Sequence, residues 1–188
     1  MKAFEIGEDF ARQLLRRLGE RDEAALRELH SLLGRRIYLF ALNRLRDADT
    51  AESVMVDTLY EVWQHPDRFR GDSRLSTWVL GIAKYKILSA LRSRPVEHED
   101  ISDYEERIED DAPSVLTELE ARQRAELIQR CLQSLNDAQR ECLHLVFFEE
   151  LPLAEVARLQ SVPEGTVKTR LFHGRRNLRA CVERHAAG

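Results

Sequence analysis

Leu153-Ala154-Glu155-Val156-Ala157-Arg158-Leu159, followed after Gln160 by Ser161-Val162 and then by Pro163-Glu164-Gly165-Thr166-Val167-Lys168-Thr169-Arg170-Leu171, decides how this chain is read. The first seven residues have the spacing of a short helix. Ser161-Val162 is a tight turn. Pro163 opens a second, longer helix, because its φ is preset and a first-turn residue needs no N–H partner. Ala157 is small enough for two helices to cross closely. Val156, Val162, Val167 and Leu171 supply their shared apolar face. The pattern is a helix-turn-helix.

The charge beyond the turn gives that motif a use. From Pro163 to Arg184 six bases (Lys168, Arg170, Arg175, Arg176, Arg179, Arg184) face two acids, Glu164 and Glu183. A helix that enters the major groove reads bases with its N-terminal side chains and meets phosphates with its flanks. Lys168 and Thr169 can hydrogen-bond base edges, and an exposed Phe172 can touch a thymine methyl. His173 lies on the same part of the helix, with Arg170, Arg175 and Arg176 nearby.

Working outward, the rest of the chain also reads as helices. Asn136 with Gln139 resembles a capping box for a helix carrying Cys142, Leu143, Leu145, Val146 and Phe147. Before it, Leu127, Ile128, Cys131, Leu132 and Leu135 mark another. Far upstream, Leu26, Leu29, Leu33, Ile37, Phe40, Ala41 and Leu45 recur at helical spacing. Asp47 and Asp49 open a further helix with Val54, Leu59, Val62 and Trp63, and Pro66 ends it. An irregular piece, Asp67 to Ser73, leads to a long helix from about Ser76 to Arg92. The two tryptophans, Trp63 and Trp78, have apolar neighbours at helical spacing and are expected in the core. No strand pattern is present. The expected fold is all-α: two small helical domains, 1–95 and 115–188, joined by an acidic linker, 96–114.

That linker resolves a puzzle of charge. The 188 residues carry a net charge of -4, which is unusual for a nucleic-acid binder. Val96 to Glu120 alone contributes -10, from eleven acids and Arg107, so the remainder is +6. The self-repelling stretch is expected to be extended or mobile. Its roughly 22 residues from Pro95 to Leu116 can reach some 75 Å, enough to place the domains about two DNA turns apart.

Other classes are excluded by what the chain lacks. No apolar run approaches the ~20 residues of a membrane span. The first residues do not resemble a signal peptide, so a cytoplasmic location is expected, without membrane insertion. There is no phosphate loop, nucleophile elbow or HExxH motif, so no enzyme, catalytic residue or cofactor is expected. Three cysteines without a CxxC pair, Cys131, Cys142 and Cys181, are expected as small buried hydrophobes. No metal site is expected, the six histidines lacking ligand spacing.

Two separated blocks resemble the sigma-70 family in its extracytoplasmic-function (ECF) subfamily. The first is Asp49-Thr50-Ala51-Glu52-Ser53 through Tyr60-Glu61-Val62-Trp63, Arg68-Phe69-Arg70-Gly71-Asp72-Ser73 and Ser76-Thr77-Trp78-Val79-Leu80-Gly81-Ile82-Ala83. It is similar to regions 2.2 to 2.4. The second, Leu151 to Leu178, is similar to region 4.2. The resemblance implies a non-enzymatic transcription initiation factor that directs core RNA polymerase, through its beta-prime and beta subunits, to promoter DNA. Asp49, Glu52, Asp57 and Glu61 then become candidates for docking on the beta-prime coiled coil. Phe69, Arg70, Gly71, Asp72 and Ser73 become candidates for capturing a flipped base of the minus-ten element. Lys84, Tyr85 and Lys86 join them, with Arg92 and Arg94 extending a basic track. Lys168, Thr169, Arg170, Phe172, His173, Arg175 and Arg176 become candidates for the minus-thirty-five element. Many relatives carry an acid at Ser53, a glutamine at Val56 and an asparagine at Lys84-Tyr85. The acidic docking face is therefore thinner here, and Tyr85 is expected to stack on bases. Free in solution, the domains are expected to close on each other and hide both DNA-binding surfaces, or to be held by an anti-sigma partner.

Overall fold

A computed structural model describes residues 6–93 and 115–186, with side chains of the second part described for residues 124–185. Every regular element among the described residues is helical. The linker expectations and Arg94 lie outside the described residues.

The first domain begins earlier than the periodic run suggested. Helix α1 (Glu8–Gly19) carries Glu8 and Asp9 in its first turn and Arg16 and Arg17 in its last, matching the helix dipole. Its Ala11, Leu14, Leu15 and Leu18 are buried. Asp22 caps α2 (Glu23–Leu29), accepting from Ala24 N at 2.8 Å. The apolar run 26–45 is not one uniform helix. A π turn over His30–Gly34 separates α2 from α3 (Arg35–Leu45). A Cβ on Gly34 would meet the His30 ring at 3.2 Å. The wider turn resets the register so that Leu29, Leu33, Ile37 and Phe40 all stay buried.

Arg46, at φ +54°, ends α3, and α4 (Ala48–Gln64) starts at once behind Asp47, whose carboxylate accepts from the Thr50 hydroxyl. Pro66 lacks the N–H to continue α4 and opens a single 3₁₀ turn, Pro66–Arg68. The chain then turns through Gly71, at φ +79°, into α5 (Leu75–Ser93). Val62, Val79, Leu80, Ala83 and Ile87 fill the space between α4, α5 and α3. Each of the valine, leucine and isoleucine side chains among them contributes roughly 1.5–3 kcal/mol.

The second domain comprises α6 (Val115–Gln133), α7 (Asp137–Phe147), α8 (Leu153–Gln160) and α9 (Glu164–Ala186). Asn136 caps α7, accepting from Gln139 N at 2.9 Å. The return half of the capping box is absent, because Gln139 Oε1 instead accepts from Asn177 Nδ2 at 3.4 Å. Ser161 takes the turn at φ +53°, and Val162 N donates to Ala157 O at 3.0 Å. Val156 and Val167 are fully buried between α8 and α9. Gly174 lets α9 approach α7: a Cβ there would meet Leu143 Cδ1 at 3.3 Å.

The cysteine expectation is corrected for two of the three. Cys131 and Cys181 are joined in a disulfide that ties α6 to α9 across 50 residues of sequence. The odd count and the absence of CxxC said nothing of positions brought together by helix packing. Cys142 remains a buried thiol that donates to Val167 O at 3.7 Å, and burial pushes its pKa up to about 11. Alkylation at pH 8 is therefore expected to label no cysteine of the native chain, only Cys142 after denaturation, and all three after reduction and denaturation. Mass spectrometry reads the count. Labelling of the native unreduced chain would contradict this packing.

The two domains lie against each other. Leu145, Leu151 and Val156 belong to the same apolar cluster as Leu33, Ile37 and Val79. Polar contacts ring that seam. Arg36 Nε donates to Glu149 Oε2 at 2.7 Å, and Lys84 Nζ meets Glu141 Oε1 at 2.6 Å. Arg44 pairs with Asp137, and Arg46 donates to Gln133 O at 3.2 Å. Phe40 and His144 have their ring centres 5.7 Å apart.

Candidate nucleic-acid interface

The reading stripe of α9 follows from its 3.6-residue period. Lys168, Thr169, Phe172 and Arg176 fall on one face and all are exposed, Phe172 by 62%. Thr169 Oγ1 donates to Gly165 O at 3.0 Å, a local bond that a base edge can replace. Gly165 keeps the start of the stripe bare, with open space where a Cβ would stand. The other expected residues divide. Arg170 points inward, donating to Gln160 Oε1 of α8 at 2.7 Å, so it braces the helix pair and does not share the stripe. Arg175 lies over the Phe147 ring, 5.0 Å from its centre, beside the stripe. His173 is half-buried, edge-on to Phe172 at 5.3 Å. The sequence supplied the charges, but not which arginines the neighbouring helices would claim.

A second surface lies on the first domain. The loop before α5 and the outer face of α5 form one wall of a groove of about 590 Å³, lined by Asp72, Ser73, Trp78, Tyr85 and Lys86. Tyr85 is 70% exposed. Phe69 packs on Trp78 with ring centres 5.4 Å apart, so the loop is anchored by an aromatic pair. Trp78 is thus half-buried core and half groove wall, while Trp63 lies under the Arg21 guanidinium. Arg70 and Gly71 are exposed at the tip of the loop. Lys84 does not join this surface. It turns to the other side of α5 and is half-buried against Glu141 of α7.

The opposite wall of the groove belongs to the second domain. Arg158 Nη1 donates to Asp72 O at 2.7 Å, and Glu155 accepts from the Thr77 hydroxyl. Leu159 Cδ2 lies 3.5 Å from where a Cβ on Gly81 would stand. The expected closure therefore narrows one surface and leaves the other open. Helix α8 walls the groove on one side, leaving Tyr85 exposed, while the stripe of α9 faces solvent. The reason is geometric: α8 and α9 cross, so burying the outer face of α8 turns α9 outward.

A third surface is the exposed face of α4. Asp49, Glu52 and Asp57 are solvent-facing, whereas Glu61 is half-buried and bound to Arg68 at 2.7 Å. Between the acids lie Val56 and Tyr60, 53% and 61% exposed. These two apolar side chains were absent from the sequence-level candidates. Their signal was the spacing Asp49, Glu52, Val56, Tyr60, a stripe on a helix whose opposite side holds Val54, Thr58 and Val62.

Glu149 holds the seam between the domains. It is 4% exposed. Burial by itself would raise its pKa, but the His144 imidazole, 3.5 Å away, and the Arg36 guanidinium more than offset this and hold it below the ordinary carboxylate value. A depressed carboxylate pKa stabilises the state that depresses it at all pH above the ordinary value, and the contribution disappears as pH falls through the depressed one. Among the described residues only Arg36 reaches Glu149 from the other domain, so the closed form is expected to loosen as pH falls through the carboxylate range. Small-angle scattering across an acid titration checks the sign. A radius unchanged down to acid pH would contradict it.

Comparison with known proteins agrees with this geometry. The sigma-70 region 2 family model matches residues 29–95, and the sigma-70 region 4 model matches residues 125–178. The ECF RNA polymerase sigma factor SigK of Mycolicibacterium vanbaalenii is 31% identical over 177 residues, which cover 90% of this chain and 87% of that protein. SigK of Mycobacterium tuberculosis H37Rv is 27% identical over 172 residues, 90% and 92% of the two chains. Among solved structures, the sigma factor RpoE in complex with the anti-sigma factor NepR from Bartonella quintana has the same fold, with a TM-score of 0.66 at 21% identity over 84% of this chain and 96% of that one. So does CnrH in complex with the cytosolic domain of CnrY, with a TM-score of 0.66 at 18% identity over 92% and 97%. A region 2 bundle, a region 4 helix-turn-helix and a full-length relative on one chain leave one conclusion: this protein belongs to the ECF sigma factors of the sigma-70 family.

Proposed function

We propose that the chain docks on core RNA polymerase through the outer face of α4, reads the minus-thirty-five element with α9, and captures the opened minus-ten strand in the groove beside α5. The observation that carries this reading is the single exposed stripe of Lys168, Thr169, Phe172 and Arg176 on the second helix of a helix-turn-helix. It stands on a chain whose separate domain offers an aromatic groove. Such a stripe suits a major groove. Tyr85 and Trp78 suit unstacked bases, whose faces stack on aromatic rings at about 1–3 kcal/mol each. Val56 and Tyr60 within a frame of acids suit a helical partner with a basic, partly apolar face. Residues 1–95 and 115–188 would thus act as two separable domains on the promoter, and 96–114 as the tether.

The closed form is then the resting form. Promoter elements two turns apart lie about 70 Å from each other, and domains in contact cannot span that distance. Opening frees Lys84 from Glu141 and lifts α8 off the groove. One solved structure of like fold is a complex with an anti-sigma factor, and a partner of that kind that bound the closed form would hold this chain at rest. All of this chemistry belongs in the cytoplasm, where polymerase and promoters are, and none of it requires catalysis by the chain itself.

A mobility-shift assay on duplex promoter DNA separates this reading from that of a stand-alone helix-turn-helix repressor. A specific shift is expected only when core polymerase is present. A specific shift of equal strength with the chain alone would favour the repressor.

A further inference from the structure

We propose that Cys131, Cys181 and His185, once the disulfide is reduced, form a Zn²⁺ site that ties α6 to the last turns of α9. The three residues place one ligand atom each within 4.8 Å of one another. Cys181 and His185 are four apart on α9, so they project from the same side of the helix. Cys181 Sγ and His185 Nδ1 are 3.9 Å apart. A tetrahedral zinc ion with Zn–S near 2.3 Å and Zn–N near 2.0–2.1 Å sets its sulfur and nitrogen ligands about 3.6 Å from each other. That edge is therefore nearly in place. The Cα atoms of Cys131 and Cys181 are 5.6 Å apart, and rotation about the Cβ bonds can move the freed sulfurs to the separation that zinc needs.

Burial and exposure divide between the ligands in a way that suits a metal. Both cysteines are buried and His185 is exposed. Two freed thiols in an apolar seam gain little as thiols, and a thiolate there would be costly without a cation. Zn²⁺ supplies that cation, and the solvent side of His185 gives it an entry path. His185 Nδ1 now lies 2.9 Å from Cys181 O, a contact that the ring gives up when it turns to the metal. The fourth position is left to water. Cys142 is not part of this cluster, being paired with Val167 O elsewhere in the domain.

The chemistry balances in two steps. A dithiol donates two electrons and two protons to the Cys131–Cys181 bond and itself closes to a disulfide, leaving two thiols on the protein. Zn²⁺ then displaces both thiol protons to solvent. The tie between α6 and α9 thereby survives reduction, with the metal in place of the sulfur–sulfur bond. The spacing Cys181-x3-His185 was visible in the sequence, but Cys131 is brought to it only by the packing of α6 on α9.

The test uses the full chain, reduced and freed of dithiol without air, and Co²⁺ as the spectroscopic probe. A stoichiometric thiolate-to-cobalt charge-transfer band is expected, together with the visible bands of tetrahedral cobalt, and Zn²⁺ should bleach both. His185→Ala should weaken binding by at least tenfold, since even an outer-shell partner is worth about 10–100-fold. Cys142→Ser should leave the band unchanged, with far-ultraviolet circular dichroism showing all three proteins folded. Zn²⁺ should raise the Tm of the reduced chain and not that of the oxidised one. Absence of the band, a band indifferent to His185→Ala, or equal loss with Cys142→Ser would each overturn the site.

Discussion

Replacing Arg36 by alanine is expected to open the chain. Glu149 is nearly fully buried at the seam, and Arg36 is its cation across the domain boundary. Removing one partner of a buried charge pair costs more than the pair was worth, because the other charge stays desolvated. Arg36 keeps some exposure, and His144 remains beside Glu149, so the lower part of the usual range applies. A shift of about 2–3 kcal/mol toward the open form, roughly 30- to 150-fold in the closure equilibrium, is expected. The wild-type chain should scatter with the smaller radius of gyration of two domains in contact. Arg36→Ala should raise that radius without loss of helix. The double variant Arg36→Met with Glu149→Gln should recover part of the compactness, because no charge is then stranded. An unchanged radius in Arg36→Ala would mean that the apolar seam alone sets closure.

The second large effect concerns reading. Lys168→Ala with Phe172→Ala removes a base-edge donor and an apolar contact from the stripe of α9. Each base contact of this kind is worth about 1–3 kcal/mol. Together they should cost roughly 30-fold or more in initiation from promoters that depend on the upstream element. Pull-down of core polymerase should be unchanged, since α4 is untouched. Arg170→Ala should behave differently. Its guanidinium bonds Gln160 between the two helices, so its loss should lower the stability of the second domain more than it changes sequence preference. Equal loss of core binding in the double variant would assign the stripe another role.

How much of this was legible in sequence depended on how far apart the partners lie along the chain. The helix-turn-helix was fully readable, because Pro163, the Ser161-Val162 turn and the Val156 and Val167 pair sit within a dozen residues. The ends of α4 and α7 were readable too, for Asp47, Pro66 and Asn136 act on their own neighbours. The π turn at His30–Gly34 was not. It preserves the same apolar spacing while inserting one residue into the turn, and periodicity cannot see the insertion. Helix α1 lies ahead of the periodic run 26–45, yet Ala11, Leu14, Leu15 and Leu18 mark its buried side as clearly as any run in the chain. The fates of Lys84 and Arg170 were decided by Glu141 and Gln160, and only packing selects among several candidate partners. The disulfide is the clearest case: Cys131 and Cys181 meet because α6 and α9 cross, and no rule of spacing over 50 residues could tell them from Cys142.

The closed arrangement also explains why the acidic face of α4 and the basic stripe of α9 coexist without pairing. The seam uses α3, α5, α7 and α8, so both interaction surfaces point away from it. If α4 is the docking face proposed above, docking can begin before the domains part, and opening can follow from competition for Lys84 and for the groove that α8 walls.

Run-off transcription from a promoter library, with core polymerase and the purified chain, goes most directly to the central claim. Transcripts that require both proteins are expected, from templates sharing an upstream and a downstream element about two helical turns apart. Failure to yield any transcript beyond core alone, while the chain still binds duplex DNA specifically by itself, would contradict the account.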